Sequence, residues 1–446
     1  MGATARTWWG RIGSVVLAAG ALALGACAAP PGDDASSTAA AVSDVHETSV
    51  KKQVIGNCWL YSVTGWAEAL HKGATGETLD LSESYLSYWY WFDQLTQPGA
   101  CGIKSVVEGG TWDTARDLVA RYGMMREADF VPEEAAAESS TRQDEALKAL
   151  NAALASKSSP IQKAIATGDR AAIRAELTKI WKLDVKVAAE LTAVFGADGS
   201  QTLDKHRPAP IPLRVIAPSD LAVRIPVASG ALETRTLADA VAGSRAWTEV
   251  QAPGWTGDES PEARRAYERR IQRALHDGQP VLVSWWVDTD ALDNRGNFTT
   301  RQAAEPSKDG GGHMSIITDY QVSNVPGFGT LAAGKVETRA KALEAALSES
   351  ATIEFFRIKN SWGSAPDAWK DRAAAERAAG GPPGYNDLYT GYLFEARAAA
   401  VDSSMLVAPE APAPGADPCA STGGPTGEYE YVGLYPMLGV VLPPGY

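Results

Sequence analysis

The sequence is poor in cysteine, in histidine and in net positive charge, and each scarcity narrows what the chain can do. Only four cysteines (Cys27, Cys58, Cys101, Cys419) and five histidines occur in 446 residues. They make no CxxC pair and no His/Cys cluster, so neither a structural zinc site nor a resident cofactor is expected. The formal net charge is −13. Nucleic acid is therefore not an expected partner, since its recognition needs basic side chains to neutralise phosphates. The same charge disfavours peripheral binding to anionic lipid. Beyond the N-terminus, no apolar run reaches the roughly 18 residues that a membrane-spanning helix requires.

What is present begins with an address. Arg6 and Arg11 precede an apolar stretch from Ile12 to Leu24, which has the length of a signal h-region. It ends in Leu24-Gly25-Ala26-Cys27, which resembles the lipobox of bacterial lipoproteins. That resemblance implies lipidation of Cys27 after removal of the leader, and an exported protein anchored at the cell envelope rather than spanning a membrane. A plain secretory signal with an incidental cysteine is the alternative. Residues 28–49 are rich in Ala, Ser, Asp and Pro without periodicity and read as a flexible tether. Aromatic residues are plentiful, with 14 Trp and 14 Tyr, which suits a large core or an aromatic-lined cleft.

Three short segments carry chemistry. In Gln53-Val54-Ile55-Gly56-Asn57-Cys58-Trp59, two turn formers precede a helical pattern from Leu60 to His71. Cys58 then stands at a helix N-terminus, where the partial positive charge favours the reactive thiolate. Read alone, it is equally a small buried hydrophobe. In Gly310-Gly311-Gly312-His313-Met314-Ser315-Ile316-Ile317, a glycine loop runs into an apolar strand, with an imidazole at the junction. In Phe355-Phe356-Arg357-Ile358-Lys359-Asn360-Ser361-Trp362-Gly363, an alternating strand delivers Asn360 and breaks at Gly363. An Asn carbonyl accepts the second ring N–H of a histidine and so fixes its tautomer.

Taken in order, Gln…Gly-Asn-Cys-Trp, Gly-His before an apolar strand, and Asn-Ser-Trp-Gly resemble the papain-like cysteine peptidases. The resemblance covers roughly residues 50–130 and 265–395. It implies an α+β fold with two lobes, a helical left lobe and an antiparallel, β-barrel-like right lobe. It also implies a peptide or protein substrate. Cys58 would be the nucleophile, His313 the base, Asn360 its orienting partner and Gln53 an oxyanion donor. Gly109, Gly110, Trp59 and Trp362 would line the substrate cleft. Leu81-Ser82-Glu83 before an aromatic helix is similar to a helix of the left lobe. Ile271 to Leu275 followed by Gly278 to Val283 is similar to the helix and strand that open the right lobe, and Gly391-Tyr392-Leu393 to its closing strand. Two departures stand out: Gln53 precedes the cysteine by five positions where the family has six, and the interval from Cys58 to His313 is longer than usual by roughly a hundred residues.

Residues 133–205 supply most of that excess. Leu147, Leu150, Leu154, Ile173, Leu177, Ile180 and Trp181 recur at helical spacing, which predicts three or four helices packed as a small subdomain. A helical insertion of this kind is similar to that of the bleomycin hydrolase and aminopeptidase branch, where the C-terminus reaches the active site. The peptidase domain is expected over 50–400, followed by a Pro/Gly-rich tail over 401–446; its last part, Tyr429 to Tyr446, is apolar and aromatic enough to dock, and the tail is surface-packed or disordered, or ends at the site through Tyr446. With Cys27 and Cys58 assigned, Cys101 and Cys419 form a disulfide in an oxidising compartment or remain separate thiols. The expected function is peptide-bond hydrolysis through a thioester acyl-enzyme. The alternatives are an inactive papain-like module that binds peptides or cell-wall material, and a transferase on the same scaffold.

Overall fold

The computed structural model describes residues 45–206, 214–227, 230–293, 295–300, 310–364, 384–395 and 435–446. Cys27, the leader, all of the tether before residue 45, Cys419 and most of the expected tail lie outside the described residues.

The first half is helical. Helices α1 (Cys58–Thr75), α2 (Glu83–Thr96) and α3 (Trp112–Tyr122) are followed by a short α4 (Glu127–Phe130). Next come α5 (Thr141–Ala155), α6 (Pro160–Thr167), α7 (Arg170–Ile180) and α8 (Val185–Phe195). The helix starts follow from capping chemistry. Ser82, Thr111, Ser140, Ser159 and Asp169 each accept a first-turn backbone N–H that the helix itself cannot satisfy. A hairpin, β1 (Ala222–Pro226) and β2 (Leu232–Thr236), leads through α9 (Leu237–Val241) to the second half.

There the elements are β3 (Thr248–Gln251), α10 (Pro253–Thr256), α11 (Pro261–His276), β4 (Val281–Asp288), β5 (Gly310–Val325) and β6 (Gly329–Leu331). They are followed by α12 (Ala340–Ala346), β7 (Thr352–Lys359), β8 (Tyr385–Tyr389), α13 (Thr390–Glu395) and β9 (Met437–Leu442). The strands form one antiparallel sheet in the order β3-β9-β4-β5-β7-β8, with β6 beside β5. Among the described residues the sheet is open, with β3 and β8 as its edges, and does not close into the expected barrel.

Strand alternation divides the core. Leu282, Met314, Ile316 and Val441 join the helical cluster, while Val281, Val283, Trp285, Ile317, Tyr320 and Val440 join a second cluster with α11 and α12. Helix α1 packs against the sheet at Gly65, where an added Cβ would sit 3.0 Å from Ile316 Cδ1.

Three expectations need correction. The inserted segment forms four helices, α5 to α8, but they do not pack by themselves: Leu150, Leu177, Trp181 and Leu191 belong to the same apolar cluster as α1 and α2. Gly391-Tyr392-Leu393 is not a strand but part of α13, because Tyr385–Tyr389 already completes the pairing with β7. The apolar end of the expected tail does dock, as β9 paired on both sides, with β3 and β4. Tyr446 does not reach the Cys58 turn; its hydroxyl donates to Asp277 and its carbonyl accepts from Arg270 of α11 at 2.6 Å. Among the described residues, no helix is long and apolar enough to cross a membrane.

Candidate active site

Cys58 is the first residue of α1, buried and without a disulfide. The turn before it is set by the Ile55 carbonyl, which accepts from Asn57 N–H and from Gln53 Nε2, both at 2.9 Å. The first N–H groups of α1 have no acceptor within the helix, so the dipole's positive end faces the sulfur.

His313 lies inside β5, opposite Trp285 of β4. The glycines before it are therefore paired strand, not the free loop that the sequence suggests. Its Nε2 is 2.7 Å from Asn360 Oδ1. The proton's place follows from a backbone carbonyl two side chains away. Gly296 O can only accept, so Asn386 presents Nδ2 to it. Asn386 Oδ1 then accepts from Asn360 Nδ2 at 2.8 Å. Asn360 Oδ1 is left for the ring, and it also accepts Ser361 N–H at 2.8 Å. His313 thus carries its hydrogen on Nε2 towards Asn360 and turns Nδ1 to Cys58, with which it is hydrogen-bonded.

The electrostatics agree with an ion pair. Burial disfavours the Cys58 thiolate. The facing imidazolium charge, its hydrogen bond and the Met314 and Trp59 backbone groups outweigh burial and hold the thiol below its ordinary value. Burial likewise opposes the charged imidazole, but the Cys58 charge and hydrogen bonds to Cys58 and Asn360 push His313 above its ordinary value.

Aromatic rings shield the base. The Trp362 ring lies 5.3 Å from that of His313, and Trp285 meets it edge-on at 5.5 Å. Phe298 packs against both tryptophans. Trp285 and Asn386 carried no sequence signal, because each acquires its role through a contact distant in sequence.

Gln53 is buried beside the site as a brace between segments. Its N–H donates to Ser361 O at 2.9 Å, and its Oε1 accepts from Ser361 Oγ at 2.5 Å. One hydrogen of Nε2 is spent on Ile55 O, and the amide carries a second.

Gly110 lies on the Trp59 ring: a Cβ there would be 2.6 Å from Cε2 and Cζ2. Trp59 Nε1 donates to Glu108 O at 2.9 Å, and the Tyr90 hydroxyl donates to Gly109 O. Trp59 is 1% exposed. It therefore supports the 108–110 loop from beneath, in place of the cleft-lining role expected of it. Gly109 is exposed, and Gly110 and Trp362 are half-buried. Cys101 is disulfide-bonded, with a partner outside the described residues. Among the described residues, no group of three or more His, Cys, Asp or Glu could hold a metal ion.

No protein-family model matches this chain, and no curated protein does.

Proposed function

We propose that the chain is a cysteine peptidase that acts through a papain-like triad on a two-lobed scaffold. The observation that carries this reading is the unbroken chain Cys58–His313–Asn360, with the sulfur at a helix N-terminus and the imidazole tautomer fixed from behind. That arrangement is what nucleophilic catalysis by a thiolate requires.

The steps follow from the geometry. The Cys58 thiolate attacks the peptide carbonyl carbon, and the C=O electrons move onto oxygen. Cys58 N–H and the spare Gln53 Nε2 hydrogen stabilise the oxyanion. Loss of one such donor typically costs about 3 kcal/mol in the transition state. The imidazolium of His313 gives its Nδ1 proton to the leaving amine as the C–N bond breaks, which leaves a thioester. His313 then takes a proton from water, the hydroxide adds to the thioester, and the C–S bond breaks to release the acid and restore the thiolate. Asn360 stays hydrogen-bonded to Nε2 throughout and keeps the ring aimed at sulfur.

The test is hydrolysis of a mixed fluorogenic peptide library under reducing conditions, with Cys58→Ala and an epoxide inhibitor as controls. Activity abolished by both is expected. Full activity in a folded Cys58→Ala protein would refute the assignment, and an inert, folded wild type would favour the peptide-binding module. The proposal includes a lipid anchor on Cys27, supported by the lipobox-like Leu24-Gly25-Ala26-Cys27. Incorporation of labelled fatty acid should be lost in Cys27→Ser, and equal incorporation in that variant would exclude the anchor.

A further inference from the structure

The inserted segment enters the structure directly behind the residue before Cys58. Gln143, in the first turn of α5, is 0% exposed. Its Oε1 accepts from Asn57 Nδ2 at 2.9 Å, and its Nε2 donates to Ser84 Oγ at 3.0 Å. Asn57 Nδ2 also donates to Ser87 Oγ at 3.1 Å. The start of α5 is itself fixed, because Ser140 Oγ accepts Gln143 N–H at 3.2 Å and donates to Glu134 at 2.5 Å.

Asn57 is the N-cap residue of α1. An Asn in that place ordinarily turns Oδ1 back to accept a first-turn N–H. Here it makes no capping hydrogen bond, and Oδ1 is buried without a hydrogen-bond partner. A good cap has been forgone and an acceptor buried, both unfavourable to stability. The benefit lies at the site. The first-turn amides stay uncapped by this side chain, and the Trp59 N–H is directed at the Cys58 sulfur.

We propose that Gln143 is a positioning residue that, with Ser87, holds the Asn57 side chain off the first turn of α1 and so keeps the Cys58 and Trp59 N–H groups for the Cys58 sulfur and a bound acyl oxygen, the Leu60 N–H being already taken by Asn57 O at 2.9 Å. The proposal rests on the reading of Cys58 as the nucleophile. Its consequence is that the insertion tunes the reactive sulfur from inside the core.

The experiment is the rate of Cys58 alkylation by iodoacetamide as a function of pH on the full chain, beside steady-state peptide hydrolysis. Gln143→Met removes the amide's contacts with Asn57, Ser84 and Tyr61 at similar volume and releases Asn57 from one of its two acceptors, so that it can cap. Acid-pH alkylation should fall roughly fivefold, the ratio that corresponds to about one N-cap, with kcat falling more than KM rises. Adding Asn57→Ala removes the competing cap and should restore the wild-type alkylation rate. A purely structural Gln143 predicts the reverse, a double variant slower than the single one, and that result overturns the proposal. If Gln143→Met does not fold, Ser87→Ala releases one of the two acceptors. It should give a smaller shift in the same direction, again reversed by Asn57→Ala, and an unchanged rate overturns the proposal equally. A wild-type Cys58 that reacts at acid pH like an ordinary thiol would remove the peptidase reading, and this inference with it.

Discussion

At the residue scale, the two partners of the pair are shifted in opposite directions, Cys58 below its ordinary value and His313 above. The thiolate–imidazolium form therefore exists between the two macroscopic titrations of the pair. A bell-shaped kcat/KM profile is expected, with the acid limb set by the pair gaining a proton at sulfur and the alkaline limb by His313 losing one. Cys58→Ser, whose hydroxyl does not ionise in this range, should abolish the acid limb along with nearly all activity. The relay behind the ring gives a second expectation. Asn386→Leu keeps the volume but leaves Asn360 Nδ2 and Gly296 O without partners. Loss of about 1 kcal/mol of orientation corresponds to roughly a fivefold fall in kcat, with KM little changed; a change confined to KM would exclude the orienting role. The triad was legible because each member sits in a local pattern: a turn before a helix, a glycine run into a strand, a strand that breaks. Asn386 was not, because nothing within Gly384-Tyr385-Asn386-Asp387 reveals a carbonyl at Gly296.

At the element scale, helix starts rest on capping, as at Ser82, Thr111 and Ser140, each of which accepts an N–H of the first turn. Two elements were not legible in the sequence. The apolar run Met437–Leu442 lies beyond a long Pro- and Gly-rich stretch, and its register between β3 and β4 comes from tertiary pairing alone. Gly391-Tyr392-Leu393 looks extended, but Thr390 bonds back to Ile353 O at 3.0 Å and Tyr392 donates to Trp286 O at 2.6 Å, which turns the chain into α13. The inserted helices carry the clearest stability test. Leu150 on α5 and Leu177 on α7 are both 0% exposed in the cluster shared with α1 and α2. Leu177→Ala should cost about 2–5 kcal/mol and lower the denaturation midpoint of the chain that contains Cys58. A transition confined to the inserted helices, with an unaltered Cys58 environment, would restore the separate subdomain that the sequence suggested. Gly110→Ala meets the Trp59 ring, and overpacking there should cost roughly 1–3 kcal/mol, measured by denaturant unfolding beside the alkylation rate of Cys58.

At the scale of the whole molecule, buried ionisable groups set how stability follows pH, and two of them act in opposite directions. Glu127 stands near Glu83 and Lys51. Burial and the Glu83 charge outweigh the Lys51 cation and push its carboxyl up to about 8. The folded chain then holds a proton that the unfolded chain releases near its ordinary value of 4.5, so stability falls as pH rises from there to about 8. His276 hydrogen-bonds the Tyr320 hydroxyl at 2.6 Å, and burial lowers its pKa to about 4. The unfolded chain binds that proton below 6.5 while the folded chain refuses it, so stability is lost as pH falls from 6.5 to about 4. Between 4.5 and 6.5 the two slopes oppose and nearly cancel, so the denaturation midpoint should be level there, fall above 6.5 through Glu127 and fall below 4.5 through His276. Glu127→Gln keeps the shape and removes the titration, so it should flatten the alkaline side and uncover the whole His276 decline from 6.5 to about 4. An alkaline decline of the same slope in that variant would assign it to other buried groups, with Glu83 and Glu47, also raised by burial, the next to test.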